Sequence, residues 1–474
     1  MAEQFFRSPF QSRLSSKERK IILFLGDLLV TILALVISLI TWAKGDDWLG
    51  LSPEFFAERP ENWFYFLPIL WLLLMAPIYD LHRASSVQIT LNFILIASLL
   101  AGTLYLTIFF VAPPKALPRR GVASFLISCA VLSILWRLFY IRKFTLPKYL
   151  INTLIVGAGK AGCRIAEIIR GIDPSPFSVA GFIDDDPEKI GKEFFGYPVL
   201  GDSNSFYKIV EEYQIGQVIM AISNRMNPEL FDALTMAEEK GLIVKTMPNV
   251  YEELLKRIPV YLLGTDWMVR DFYDQAHASI FFEITKRLID IFGGFIGTVF
   301  FAILFPFISI AILIDSGRPI FYSQERLGLW GTPFNILKFR TMVQDAEADG
   351  IPRPASYEDN RITRVGHFLR KSHLDEMPQF LNVLRGDLSL VGPRAERKEI
   401  IEELQKEIPF YRGRLLVRPG ITGWAQINYG YAAGAEQNAI KLEYDLYYIK
   451  NRNLLLDFSI LLQTFKTIFG LKGR

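Results

Sequence analysis

The run Ser372-His373-Leu374-Asp375-Glu376-Met377-Pro378-Gln379 sets two adjacent carboxylates just before a proline. Proline is tolerated near a helix start, where its missing N–H would be unpaired anyway. Asp375 and Glu376 are therefore expected in the first turn of a helix. There the helix dipole keeps carboxylates ionised and favours bound phosphate. One carboxylate can attack phosphorus while its neighbour holds a divalent cation. An ordinary acidic helix start has the same appearance, so the surrounding motifs must decide between the two.

Upstream lies Lys338-Phe339-Arg340-Thr341-Met342, and downstream come Leu390-Val391-Gly392-Pro393-Arg394 and Arg418-Pro419-Gly420-Ile421-Thr422-Gly423-Trp424. Lys338 and Arg340 carry the charge to hold a diphosphate, and Arg361 and Arg364 add more. Gly392-Pro393-Arg394 and Arg418-Pro419-Gly420 read as rigid turns that each present one arginine. Solvated basic faces are the alternative. These ordered motifs, spread from about residue 280 to the end of the chain, resemble the bacterial sugar transferase family of polyprenyl-phosphate hexose-1-phosphate transferases. The N-terminal extension resembles that of the family's long members.

The resemblance implies transfer of hexose-1-phosphate from a UDP-sugar to undecaprenyl phosphate, with UMP released. That is the first membrane step of exopolysaccharide, capsule or lipopolysaccharide O-antigen synthesis. It implies Asp375 as the nucleophile of a covalent phosphosugar intermediate and Mg²⁺ held partly by Glu376. Lys338, Arg340, Arg394 and Arg418 would contact phosphate, with Arg361, Asp445 and Asp457 in support. Two positions depart from the family pattern. Ala395-Glu396 follows Arg394 where many relatives have Pro-Glu, and Phe305-Pro306 stands where relatives often have Ser-Pro.

Several elements must position these groups. At 474 residues the chain has room for two or three domains. Half of it is hydrophobic, yet 21% is charged, so only part can be embedded in lipid. A net charge of +3 makes no case for nucleic acid. Cys129 and Cys163 form neither a CxxC nor a zinc pattern, and no disulfide framework is expected. Four apolar runs, Ile21–Trp42, Trp63–Tyr79, Leu91–Val111 and Val122–Tyr140, can each cross about 30 Å of hydrocarbon as a helix. The basic tail (Arg7, Arg13, Lys17, Arg19, Lys20) places the N-terminus in the cytoplasm, although Lys115, Arg119 and Arg120 then fall outside. Four crossings return the chain there, at a bacterial inner membrane. Asp27, costly in lipid, is expected to face the bundle interior.

Residues 148–250 read as a small doubly wound α/β module. Gly157-Ala158-Gly159-Lys160-Ala161-Gly162 lies between a strand and a helix, and Asp184 follows 22 positions after Gly162. Gly157, Gly159 and Gly162 would let backbone approach a pyrophosphate, with Asp184 on a ribose hydroxyl. A retained fold that binds nothing tightly is the alternative. No Tyr-x-x-x-Lys pair is present, which argues against a membrane-anchored nucleotide-sugar dehydratase or epimerase. A non-enzymatic scaffold for polysaccharide export is a further alternative, disfavoured by the acid pair and the arginines.

A fifth apolar segment spans about residues 282–314, with Pro306 inside it. A fifth crossing would put the acid pair outside the cell, away from nucleotide sugars. The resemblance implies instead a re-entrant helix hinged at Pro306. Lys286, Arg287 and Asp290 mark its water boundary. The segments 442–450 and 454–469 have helical spacing that suits the membrane interface. The expected fold class is thus a membrane protein, α plus α/β. It has a four-helix bundle over 1–145, a Rossmann-like CoA- or nucleotide-binding-type module over 148–250 and a monotopic catalytic domain over 278–474. The expected partners are UDP-sugar, undecaprenyl phosphate, the bilayer and a second copy of the chain.

Overall fold

The computed structural model describes residues 14, 16–79, 81–111, 118–144, 150–173, 175–222, 227–264, 272, 279–343, 359, 361–430 and 434–468. The tail residues Arg7 and Arg13, and Lys115, lie outside them. The chain divides into two compact units, Met1–Val250 and Tyr251–Arg474.

Three long apolar helices open the first unit: α1 (Ser16–Lys44), α2 (Val87–Val111) and α3 (Arg119–Phe144). The second apolar run departs from expectation. It is cut into a 3-10 turn (Asn62–Phe66), a short α-helix (Leu67–Leu74) and a second 3-10 turn (Ala76–Ile78). Pro68 and Pro77 each stand at the start of a new helical piece, the one place where proline costs no backbone bond. Asp27 does face the interior. Its carboxylate meets the Arg137 guanidinium at 2.5 Å, with both groups buried. Such a charge survives in an apolar bundle only when paired.

The module continues the same unit. Its strands are β1 (Asn152–Val156), β2 (Ser178–Ile183), β3 (Glu193–Phe194), β4 (Tyr197–Gly201), β5 (Gln217–Met220) and β6 (Ile243–Thr246). They lie in the order β3-β4-β2-β1-β5-β6, all neighbouring pairs parallel except β3 with β4. Helices α4 (Lys160–Arg170), α5 (Phe206–Glu212) and α6 (Pro228–Glu239) join the strands. Leu154, Val156, Ile183, Val218 and Leu230 build one shared core. The strand order reverses direction between β1 and β5, where doubly wound sheets open a crevice.

The second unit begins earlier than residue 278. Ile258, Val260 and Phe272 are buried in the same core as Leu442, Leu446 and Ile449. Helix α7 (Ile280–Ser316) then runs for 37 residues and continues through Pro306 without interruption. An antiparallel hairpin follows, β7 (Phe321–Leu327) with β8 (Pro333–Phe339). Helix α8 (Arg364–Lys371), helix α9 (Gln379–Arg385) and strand β9 (Ser389–Val391) come next. After α10 (Lys398–Glu407), strand β10 (Gly420–Thr422) pairs in parallel with β9. Helices α11 (Gly434–Asn451) and α12 (Leu454–Ile468) complete the described chain.

The unit packs along α7 from end to end. Near its start, Lys286 Nζ reaches the Val391 carbonyl at 3.0 Å, and Arg287 donates to the last carbonyls of α9, Val383 and Leu384. Phe305 stacks with Phe321 and Phe339, and Phe301 packs against both at a tilt. At the far end Arg340 Nη2 donates to the Ser316 and Gly317 carbonyls, both at 2.6 Å. The opposite face of α7 exposes Phe292, Phe295, Phe300, Phe307 and Ile314. Helix α11 is not an interfacial helix: Leu442, Leu446, Tyr448 and Ile449 sit in the core.

Candidate active site

Strand β8 carries Lys338 toward the acid pair. Helix α8 ends at Lys371 with Ser372 as its C-cap, and His373 takes a left-handed conformation (φ 55°) that turns the chain. Asp375 and Glu376 then occupy a 3-10 turn, Leu374–Glu376. This corrects the expectation of a first helical turn. Pro378 is the N-cap of α9, so the acids lie one short turn ahead of the α-helix. Asn382 fixes α9 to β8: its Oδ1 accepts from the Leu337 N–H (3.1 Å) and its Nδ2 donates to the Asn335 carbonyl (2.9 Å). With that clamp in place, Lys338 Nζ meets Glu376 Oε1 at 2.6 Å.

Arg394 Nη2 reaches the same oxygen at 3.1 Å. It comes from the loop after β9, which is pressed against the loop before β10. A Cβ on Gly392 would lie 2.4 Å from the Arg418 carbonyl oxygen, and one on Gly420 would lie 2.1 Å from the Gly392 nitrogen. Only glycine permits this approach. The two Gly/Pro/Arg motifs are thus one structural feature. Its output is a half-exposed Arg394 aimed at Glu376.

The surroundings shift the two carboxylates in opposite directions. Burial raises the Asp375 carboxyl above its ordinary value, the Glu376 charge adds to that, and Lys338 and Arg370 only partly offset it. Burial alone would also raise Glu376, but Lys338 and Arg394 overcome it and hold Glu376 well below the usual carboxylate range. The site therefore offers an ionised, doubly held Glu376 beside a buried Asp375 stripped of water. Perturbed pairs of this kind mark functional sites.

Asp445 and Asp457 do not touch the acid pair. Asp445 binds Arg414 at 2.8 Å, and Arg414 donates to the Arg394 carbonyl at 3.2 Å. Asp457 binds Lys286 at 2.6 Å and accepts from Tyr448 at 2.8 Å, beside the Val391 carbonyl. Both act on the loop that carries Arg394. Arg340 is buried and its Nη2 ties down the end of α7, while its Nε and Nη1 have no partner among the described residues. Arg361 is paired with Asp359 at 2.6 Å. Arg418 is half-buried and makes no ion pair among the described residues.

Arg370 and Arg414 were not singled out by sequence reasoning. Arg370 donates to the Thr341 hydroxyl at 2.9 Å, and its charge reaches Asp375. Its place five residues before Asp375 was a usable signal. Arg414, within Tyr411-Arg412-Gly413-Arg414, offered none. Arg414 and Lys441 also flank Glu396 and, against the effect of burial, hold its carboxyl down to about 2.

Among the described residues no three His, Cys, Asp or Glu side chains gather as a metal site. The Asp375–Glu376 pair nevertheless fits Mg²⁺, which is commonly held by one or two carboxylates plus substrate phosphate and water.

In the module, Gly157 has φ +101°, and a Cβ on Gly162 would lie 1.9 Å from the Gly157 carbonyl oxygen. Gly159 faces open space. Asp184 does not extend outward. Its Oδ2 accepts from the Ala158 N–H of the glycine loop at 2.7 Å, its Oδ1 from the Asp186 N–H, and Lys189 covers it at 3.1 Å.

Residues 281–471 match the family model described as bacterial sugar transferase, and residues 75–248 match that of a CoA-binding domain. The chain is 44% identical over 190 residues to a UDP-N-acetylgalactosamine-undecaprenyl-phosphate N-acetylgalactosaminephosphotransferase of Aeromonas hydrophila, covering 40% of this chain and 45% of that protein. It is 33% identical over 288 residues to a UDP-glucose:undecaprenyl-phosphate glucose-1-phosphate transferase of Xanthomonas campestris pv. campestris, covering 58% of each. A protein of the same description from Caulobacter vibrioides is 39% identical over 185 residues, covering 38% of this chain and 68% of that protein. This chain belongs to the bacterial sugar transferase family. It spans about half the length of the first two of these relatives. The glycine loop does not fit the diphosphate of a CoA-type ligand, because the resident Asp184 carboxylate already takes one of the loop's donors.

Proposed function

We propose that this protein transfers hexose-1-phosphate from a UDP-sugar to undecaprenyl phosphate, releasing UMP, as the first membrane step of polysaccharide assembly. The observation that carries the reading is the buried Asp375 beside a Glu376 that gathers Lys338 and Arg394. A carboxylate nucleophile next to two cations suits phosphoryl transfer, where positioning and charge neutralisation do most of the work. An Asp375 oxygen attacks the sugar-bearing phosphorus. The bond to the UMP oxygen breaks, and UMP leaves with that electron pair. An oxygen of the lipid phosphate then attacks the same phosphorus and the Asp375 carboxylate departs, so two easier displacements replace one. The diphosphate competes with Glu376 for Lys338 and Arg394 and is neutralised by them. Mg²⁺, held by Glu376 and Asp375, would supply further neutralisation of the diphosphate.

The catalytic unit works on the cytoplasmic face of the inner membrane, and α7 enters the bilayer without crossing it. The bonds at both ends of α7 support this. Lys286 and Ser316 stand about 45 Å apart along a helix rising 1.5 Å per residue, yet both are bonded to the same compact unit. A crossing helix would have to carry that charged body through about 30 Å of hydrocarbon. The exposed phenylalanine face of α7 suits lipid contact on one side only.

Membranes containing the protein, given a panel of UDP-sugars with and without undecaprenyl phosphate, test the reading. One sugar should release UMP, with turnover dependent on the lipid. No UMP release with any sugar in the presence of lipid would end it.

A further inference from the structure

Gln379 is almost fully buried, 3% exposed, and its amide nitrogen has no hydrogen-bond partner among the described residues. Its position gives that orphan a direction. Glu376, Gln379 and Asn382 recur at intervals of three, so they share one face of the turn and helix. The two outer members both bind β8: Glu376 takes Lys338, and Asn382 takes the Leu337 N–H and the Asn335 carbonyl. By that spacing Gln379 falls between them on the same face. It is also four residues past Asp375, on the same side as the buried carboxyl.

A buried donor left without an acceptor costs about as much as a lost hydrogen bond, and natural interiors rarely keep one. Glu376, Lys338 and Asn382 on this face all have partners. No acceptor for the Gln379 amide is found among the described residues.

We propose that Gln379 is a further catalytic residue, whose amide N–H donates to a non-bridging oxygen of the phosphoryl group held between Asp375 and the Lys338–Arg394 pair. This rests on the transferase reading above. A neutral donor there suits a phosphoryl group whose charge must pass from the leaving oxygen to the lipid phosphate. It assists both displacements without trapping the covalent adduct as a third cation would.

The test uses the full chain in lipid nanodiscs with the UDP-sugar that the wild type turns over. Gln379→Met keeps the volume and deletes the donor. One hydrogen bond to a charged group corresponds to about ten- to a hundredfold in rate. That loss is expected in kcat and in the rate of adduct formation without lipid, with KM for the UDP-sugar within about twofold. The melting temperature should be unchanged or higher, because an unsatisfied donor has been removed. Gln379→Glu keeps the shape and replaces the donor with a carboxyl that donates only when protonated. Its activity relative to wild type should rise as pH falls. Wild-type rates in Gln379→Met, or rate losses in both variants that only track a lowered melting temperature, would overturn the assignment. A wild type inactive with every sugar would instead sink the transferase reading on which it rests.

Discussion

Removing residues 1–277 should destabilise the catalytic unit, although every motif that carries chemistry lies beyond residue 278. Ile258, Val260 and Phe272 are 0%, 1% and 0% exposed, within the core that α11 completes. Burial of each side chain contributes about 1.5–3 kcal/mol, so the three together contribute about 5–9 kcal/mol as an upper bound. The cut also strips the Lys256 carbonyl from Trp424 Nε1, Glu252 from Lys450, and the Ile258 N–H from the Glu443 carbonyl. A domain of this size is stable by only about 5–15 kcal/mol. Chains beginning at residues 248 and 278, each in nanodiscs, should therefore differ by roughly 10 °C or more in melting temperature. UMP release should persist in the longer chain and be lost or short-lived in the shorter. If the two melt within about 3 °C of each other, the packing of Ile258, Val260 and Phe272 is not structural and this reasoning is wrong.

Asp375→Asn should abolish turnover, because an amide is a poor nucleophile at phosphorus, and wild type without lipid should accumulate a phosphosugar adduct on Asp375 visible by mass spectrometry. Near-normal turnover in that variant would remove the covalent path. The attacking carboxyl must be ionised, and burial raises it above its ordinary value. A kcat/KM profile should therefore lose activity, as pH is lowered, at a pH above the usual carboxylate range; an acid limb at about 4 or below contradicts this. Glu376→Gln leaves Lys338 and Arg394 without their shared carboxylate, and should raise the Mg²⁺ concentration needed for activity; EDTA-insensitive wild-type turnover would dismiss the metal. Single cysteines near Lys286 and Gly317 should both label from the cytoplasmic side, and labelling on opposite faces would make α7 a crossing. CoA titrated into the full chain should show no saturable binding, and Asp184→Asn, which removes the charge on the glycine loop, should bind it more tightly; tight wild-type binding lost in Gly159→Phe would refute the fit argument.

The family was legible in the chain because its motifs depend on local residue types. An acid pair before a proline, two Gly/Pro/Arg turns and a Lys-x-Arg strand end mark the bacterial sugar transferase family whatever the fold does with them. The apolar runs and the alternation of strand and helix after residue 150 were equally local, since lipid and doubly wound sheets demand long apolar stretches and regular punctuation. What depended on distant partners was not legible. Lys338 and Arg340 look interchangeable at a spacing of two, but only packing sends one to Glu376 and the other to the end of α7. Asp184 matches a ribose-binding acid in position, but its contacts turn it back onto its own loop. Ile258, Val260 and Phe272 belong to no motif, yet they complete a core whose other half lies nearly two hundred residues further on. Hydrogen bonds and burial between segments far apart in the chain leave no periodic trace along it, so only the folded arrangement could decide these three points.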